Sequence, residues 1–372
     1  MKKYRVIIPF IVLFALQSCG DESMNNITPD TFDRRALLTY YADSLIIPEY
    51  SLLLSTTQIL SFAVTNFINN PTVISLDNAR SAWIDSYTQW QNCSMFNFGP
   101  AVGPFGTLLE DIGTFPVKIS GDQTRKGIED YISSGDYSLN NFARDTRGFL
   151  GVEYLLFSGT HEEVIAKFVG SQAKNRQNYL LAITEDIYIR VSNCRTGWKL
   201  YKSDFISRNG TDAGSSISEL YNEFVKSFEA MKNYKLGVPL GNKAGQTKPE
   251  PMTVEGYYSG TSMAMMTYHW NTIVRVWEGK TRHGNDGIGF KEYIESTVGG
   301  KELSASTLQQ MTEVEKSFQQ YPSNIRLSEA VITHQSNVSA LYTELQKITR
   351  FLKSDMSSLL GISITYSSGD GD

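Results

Sequence analysis

Cysteine and histidine are scarce in this chain of 372 residues, which has three of the first and four of the second. Three cysteines cannot build the disulfide-dense scaffold of a small secreted domain. No CxxC pair is present to make a redox centre or a zinc ribbon. The histidines at 161, 269, 283 and 334 are scattered, with no HExxH and no Cys/His cluster. A P-loop, a dinucleotide glycine fingerprint and a GxSxG elbow are also missing, which argues against the common nucleotide enzymes and hydrolases. Basic residues form no long run and the formal net charge is −5. That leaves no footprint for nucleic acid. What is present is ordinary globular material, 41% hydrophobic and 20% charged, and long enough for more than one domain.

The first residues read as a targeting segment. Lys2, Lys3 and Arg5 precede the apolar stretch VIIPFIVLFAL, residues 6–16. That stretch is shorter than the ~20 residues of a membrane span. LQSC, ending at Cys19, has the pattern of a bacterial lipobox. The expectation is therefore a lipoprotein signal peptide over 1–18, lipidation of Cys19, and a polar tether over 19–30. No second long apolar run is apparent. The mature chain is expected in the cell envelope, held to a membrane by lipid rather than spanning it, with the outer membrane as its site. Asp21 and Glu22 beside the anchor read as a sorting signal, and the membrane face stays open. Cys93 and Cys194 read equally as a disulfide or as two buried thiols.

The rest of the chain reads as helices. Apolar residues recur at helical spacing over 33–68, 75–96, 171–205, 216–237, 259–279, 304–320 and 326–360. Pro48 is expected to start or kink a helix, and Ser75 to cap one. Only ISITYS, residues 362–367, alternates as a strand does. The fold class is all-α: two packed helical bundles, 31–169 and 170–372, with a short extended C-terminal end.

One side chain stands out in RGFLGVEYLLFSG, residues 147–159. Glu153 is its lone ionisable group after Arg147, and its helical neighbours Phe149, Leu150, Leu156 and Phe157 are all apolar. A buried carboxylate without partners takes up a proton, so it needs a cation, hydrogen-bond donors, a metal or a wet pocket. Arg80, Trp83, Tyr87, Trp90 and Ser94 follow steps of three and four and share one helical face. Arginine is rarely buried unpaired, so Arg80 is the candidate partner of Glu153. The expected polar centre is Arg80 with Glu153, flanked by Trp83, Trp90 and Tyr154, with Gly148 allowing close approach of the chain. A plain structural ion pair is the competing reading of Glu153. His269, among Met265, Met266 and Ile273, reads as a hydrogen-bonded core residue.

Four stretches together resemble the imelysin family, also described as insulin-cleaving membrane proteases. They are residues 79–101, 147–159, 237–262 and the closing FLKSDMSSLLGISITYSSGDGD, in the family's order over nearly the whole mature chain. The resemblance implies a bacterial envelope protein linked to iron acquisition, with two helical halves and a groove between them. The family signature is Gly-x-His-x-x-Glu. Here Gly148 and Glu153 match, but Leu150 stands at the histidine position. A leucine can neither ligate a metal nor relay a proton. Metal binding at Glu153 is then left to oxygen donors, if Glu110, Asp111 or tyrosines converge on it. The expected function is non-catalytic capture of a small ligand or iron, with an envelope protein as a further partner. A metal-dependent peptidase and a structural or partner-binding module are the alternatives.

Overall fold

Hydrogen-bonded caps mark where most helices begin. In the computed structural model, which describes residues 32–116, 122–139 and 143–366, Asp33 caps helix α1, Arg34–Tyr40. The chain passes through a π-helical segment, Tyr41–Ile46, into α2, Ile47–Asn69, where Pro48 occupies the first turn. Proline is tolerated there because that N–H has no helical partner. Thr72, not Ser75, caps α3, Val73–Gln91. Ser75 instead sits at the third helical position and bonds back to the Thr72 backbone, completing a capping box.

After α3 a two-residue hairpin, β1 (Val102–Gly103) with β2 (Gly106–Thr107), leads into α4, Leu108–Ile112. Then come α5 (Asp122–Ser134), α6 (Gly148–Phe157), α7 (His161–Val169) and the 35-residue α8 (Ala173–Ser207). The second half holds α9 (Ser216–Ala230), α10 (Val238–Leu240), α11 (Ser262–Glu278), α12 (Phe290–Glu295) and α13 (Gly300–Gln319). It closes with α14 (Leu327–Thr333), α15 (Gln335–Arg350) and α16 (Ser357–Leu360). Two more π-helical segments, Met231–Gly237 and Phe351–Met356, follow α9 and α15. The all-α class stands.

The halves divide later than the expected break at residue 170. Helix α8 packs along α2 and against α6, so it belongs with the first bundle. Its apolar stripe, Leu180, Ile183, Ile187 and Val191, is fully buried there. Residues from Phe32 onward cluster as one unit around a continuous core. All five tryptophans lie in that core, each removing roughly 150–250 Å² from water. The continuous helix of residues 34–69 is long and apolar enough to cross a bilayer, a run the sequence reading passed over. In the structure Leu53, Leu60, Val64 and Phe67 are core residues of it, while Ile59 and Phe62 are exposed.

Residues 362–365 form no strand. Asn222 holds them instead, its Nδ2 donating to the Ser363 carbonyl at 3.0 Å and its Oδ1 accepting the Thr365 N–H at 2.7 Å. Alternation there reflects one side of the segment lying on α9, as with buried Ile362. Cys93 and Cys194 are both buried free thiols. The signal peptide, Cys19 and the tether lie outside the described residues.

Candidate functional site

Glu153 is buried as expected, 2% exposed on α6. Its partner is not Arg80. The Ser259 N–H and hydroxyl both donate to Glu153 Oε1, at 2.8 Å each. The Tyr258 N–H also bears on the carboxyl. These donors come from a turn that opens at Gly256, whose φ of +67° is left-handed. Successive N–H groups folded around an anion form a nest. Burial still outweighs them and pushes the carboxyl up to about 7, with the neighbouring Glu255 adding repulsion.

Arg80 is captured one turn further along. Helix α3 runs antiparallel to α6, so Trp83, Tyr87 and Trp90 meet Phe149 and Phe157 while Arg80 falls at the C-terminal end of α6. Arg80 Nε donates to the Leu156 carbonyl at 2.8 Å, and its Nη1 lies 3.0 Å from His161 Nε2. The guanidinium also stacks over Phe157, 5.3 Å from the ring centre. Unpaired carbonyls and the negative dipole end of a helix draw a cation there. The Arg80–Glu153 ion pair is thus replaced by two separate arrangements.

The other expected residues pack around Glu153 without touching an opening. Trp83 donates from Nε1 to the Phe149 carbonyl at 3.0 Å. Trp90 covers Gly113, where a Cβ would sit 2.2 Å from the indole nitrogen. The Tyr154 hydroxyl donates to Glu129 at 2.7 Å, and its ring meets Tyr258 edge-on. Gly148 does serve close approach: its φ is +62°, and a Cβ would lie 2.5 Å from the Ile112 carbonyl oxygen. Gly148→Ala should destabilise the fold by about 2–5 kcal/mol, combining left-handed strain with a backbone clash. Chemical denaturation measures it, and an unchanged midpoint contradicts the packing.

Glu110 and Asp111 do not converge on Glu153. Glu110 bonds the Thr107 N–H at the start of α4 and pairs with Arg144 at 2.7 Å. Asp111 is held between Arg147 and Arg190. Among the described residues, no group of three or more His, Cys, Asp or Glu is placed to hold a metal. One carboxylate already bonded by N–H and O–H donors does not fit an iron centre, which wants several unprotonated oxygens.

Sequence reading missed a second buried ion pair beside the first acid. Lys235 Nζ sits 2.8 Å from Glu255 Oε2, both side chains 2% exposed. The ammonium is aimed along its hydrogen bond to Gln91 Oε1, 2.7 Å away. Glu255 Oε1 accepts from the Tyr87 hydroxyl at 2.6 Å. Burial pulls the Lys235 ammonium down, and Glu255 holds it up. Nothing in local sequence marks Lys235; its carboxylate lies twenty residues on, in the stretch 237–262.

Beyond Lys235 lies a cavity of about 850 Å³. Residues of the first half, Ser94, Leu109, Glu110 and Phe115, face residues of α9, α11, α15 and both later π-helical segments. His269 forms part of its wall and sits near Lys235, which with burial keeps the imidazole well below its usual range and so neutral. Its Nε2 lies 2.8 Å from Ser227 Oγ, as a hydrogen-bonded core histidine should. Glu153, Arg80, Trp83, Trp90, Gly148 and Tyr154 do not line this cavity.

Comparison with known proteins follows this geometry. The imelysin model, Peptidase_M75, matches residues 46–352. The chain belongs to the imelysin family. Iron-regulated protein A of Synechococcus elongatus is 22% identical over 256 residues, 66% of this chain; the chain spans 64% of that relative's length. An imelysin-like protein from Psychrobacter arcticum superimposes with a TM-score of 0.71 at 18% identity, covering 90% of this chain and 97% of the other. The imelysin fold is therefore shown, and the iron link rests on a relative.

Proposed function

We propose that this imelysin is a lipid-anchored, non-catalytic binding protein of the cell envelope that captures a small ligand in the service of iron or nutrient acquisition. One observation carries the reading: the halves enclose a cavity of drug-sized volume whose walls present buried polar atoms with no protein partner. The acids and tryptophans around Glu153 then act as the rigid back of that site. They fix α3 and α6 against the turn of residues 254–261. The relative named iron-regulated protein A supplies the iron context, with iron as cargo of the ligand rather than a resident centre.

Protein purified from its native envelope and analysed by elemental analysis and native mass spectrometry should carry a bound small molecule. An envelope-derived preparation free of any ligand, on repeated isolation, contradicts the reading. Cys19→Ala should move the protein from the membrane to the soluble fraction; retention in the membrane removes the anchor. The peptidase reading, which the family name favours, needs Glu153 as a working group. Its carboxylate is enclosed and Leu150 stands at the signature histidine. Digestion of insulin by the purified protein, lost in Glu153→Gln, would restore that reading.

A further inference from the structure

The walls of the 850 Å³ cavity carry four buried polar atoms with no hydrogen-bond partner: Ser94 Oγ, Thr349 Oγ1, His269 Nδ1 and Glu229 Oε1. Ser94, His269 and Glu229 are 5%, 1% and 4% exposed. Leaving such atoms unsatisfied costs about 1–3 kcal/mol each, so their gathering on one cavity is a strong signal. Glu229 Oε2 accepts from the Tyr366 hydroxyl at 2.6 Å, while Oε1 lies 3.4 Å from Lys353 Nζ without hydrogen-bond geometry.

Charge narrows what could satisfy them. Each acidic side chain on the wall already has a cation beside it: Glu223 has Lys226 at 2.9 Å, Glu229 has Lys353, and Glu110 has Arg144. Arg350, 80% exposed at the rim, faces Asp355. A bare anion or cation would have to break one of these pairs. The unsatisfied atoms are of mixed character. Glu229 Oε1 only accepts, the two hydroxyls do both, and neutral His269 can present either role at Nδ1. A hydroxyl group suits all four, because it donates and accepts. Phe115 stacks on Tyr234, ring centres 5.4 Å apart at 14°, and this pair gives the wall an apolar platform.

We propose that the cavity binds a neutral, hydroxyl-rich organic molecule of saccharide or polyol type, held by Ser94, Thr349, His269 and Glu229 beside the Phe115–Tyr234 pair. This rests on the reading of the cavity as the ligand site. The two π-helical segments matter to it. They place Asn233 and Tyr234 on one side and Lys353 and Ser354 on the other, and π-helical turns often serve functional sites.

The test uses the full mature protein in detergent, with saturation-transfer NMR and equilibrium dialysis against maltotriose, inositol, citrate and spermidine. At least one of the two neutral probes should bind. Thr349→Val and Ser94→Ala remove hydroxyls that bond nothing in the protein, so melting temperature should stay level or rise. Each should nevertheless weaken the neutral probe about three- to tenfold, the worth of one hydrogen bond. Ala230→Trp should abolish binding by filling the space. If citrate or spermidine binds instead and is lost in Ala230→Trp, the ligand class is overturned while the site stands. If no probe binds, or binding ignores all three variants, the site and its ligand class fall together.

Discussion

Glu153→Gln should gain stability relative to the parent protein as pH rises. The carboxyl sits at about 7 in the fold against 4.5 for a free glutamate. Between those values the folded state holds a proton that the unfolded chain has released. The stability it contributes is complete below about 4.5 and is lost as pH climbs through 7. A shift of that size corresponds to roughly 3 kcal/mol as an upper figure. Glutamine mimics the protonated acid and can still accept from Ser259, so the variant should lack this loss. Urea denaturation of both proteins at pH 5 and pH 8 measures the effect. The difference between them should move by about 2–3 kcal/mol in favour of the variant at the higher pH. A difference constant with pH would mean that the carboxyl titrates normally, and so is hydrated or paired with a cation.

The second large effect concerns the Lys235–Glu255 pair. Lys235→Met should cost about 3–5 kcal/mol, because the change leaves Glu255 charged and enclosed with only the Tyr87 hydroxyl and Gln91 to face it. Replacing both partners, Lys235→Met with Glu255→Leu, should recover much of that loss, since an apolar pair needs no compensation. A double variant as unstable as the single one would show that packing shape, and not uncompensated charge, governs this spot. The Lys235→Met protein should also raise the His269 imidazole toward its usual range, because the ammonium is one of the two forces depressing it. Histidine NMR titration reads that directly.

The helices were legible because buried positions repeat with the helical period, as in α8 and α9. Glu153 was legible for the same reason, as the one charge in an apolar run. Its partners were not. Ser259 lies 106 residues away, and which helix faces which is decided by packing that a single stripe cannot report. The arginine on the α3 face was read correctly as needing a partner. Face arithmetic fixed its direction but not its height along α6, and one helical turn separates a carboxylate from the end carbonyls. Ser75 was one capping box away from its true role, since Thr72 and Ser75 satisfy each other reciprocally. The cavity left no local mark at all, because its polar atoms come from six separate stretches and π-helical turns have no residue signature.

Those turns have a consequence of their own. Each one houses a surplus residue in an otherwise regular coil. Deleting a single position from Met231–Gly237 would let the backbone relax to ordinary winding and swing everything after it by about 100°. Tyr234 and its neighbours would then look elsewhere with every amino-acid type unchanged. The shape of the chamber is written partly in how many residues there are, so variation in length at these two places reshapes it more than any single substitution.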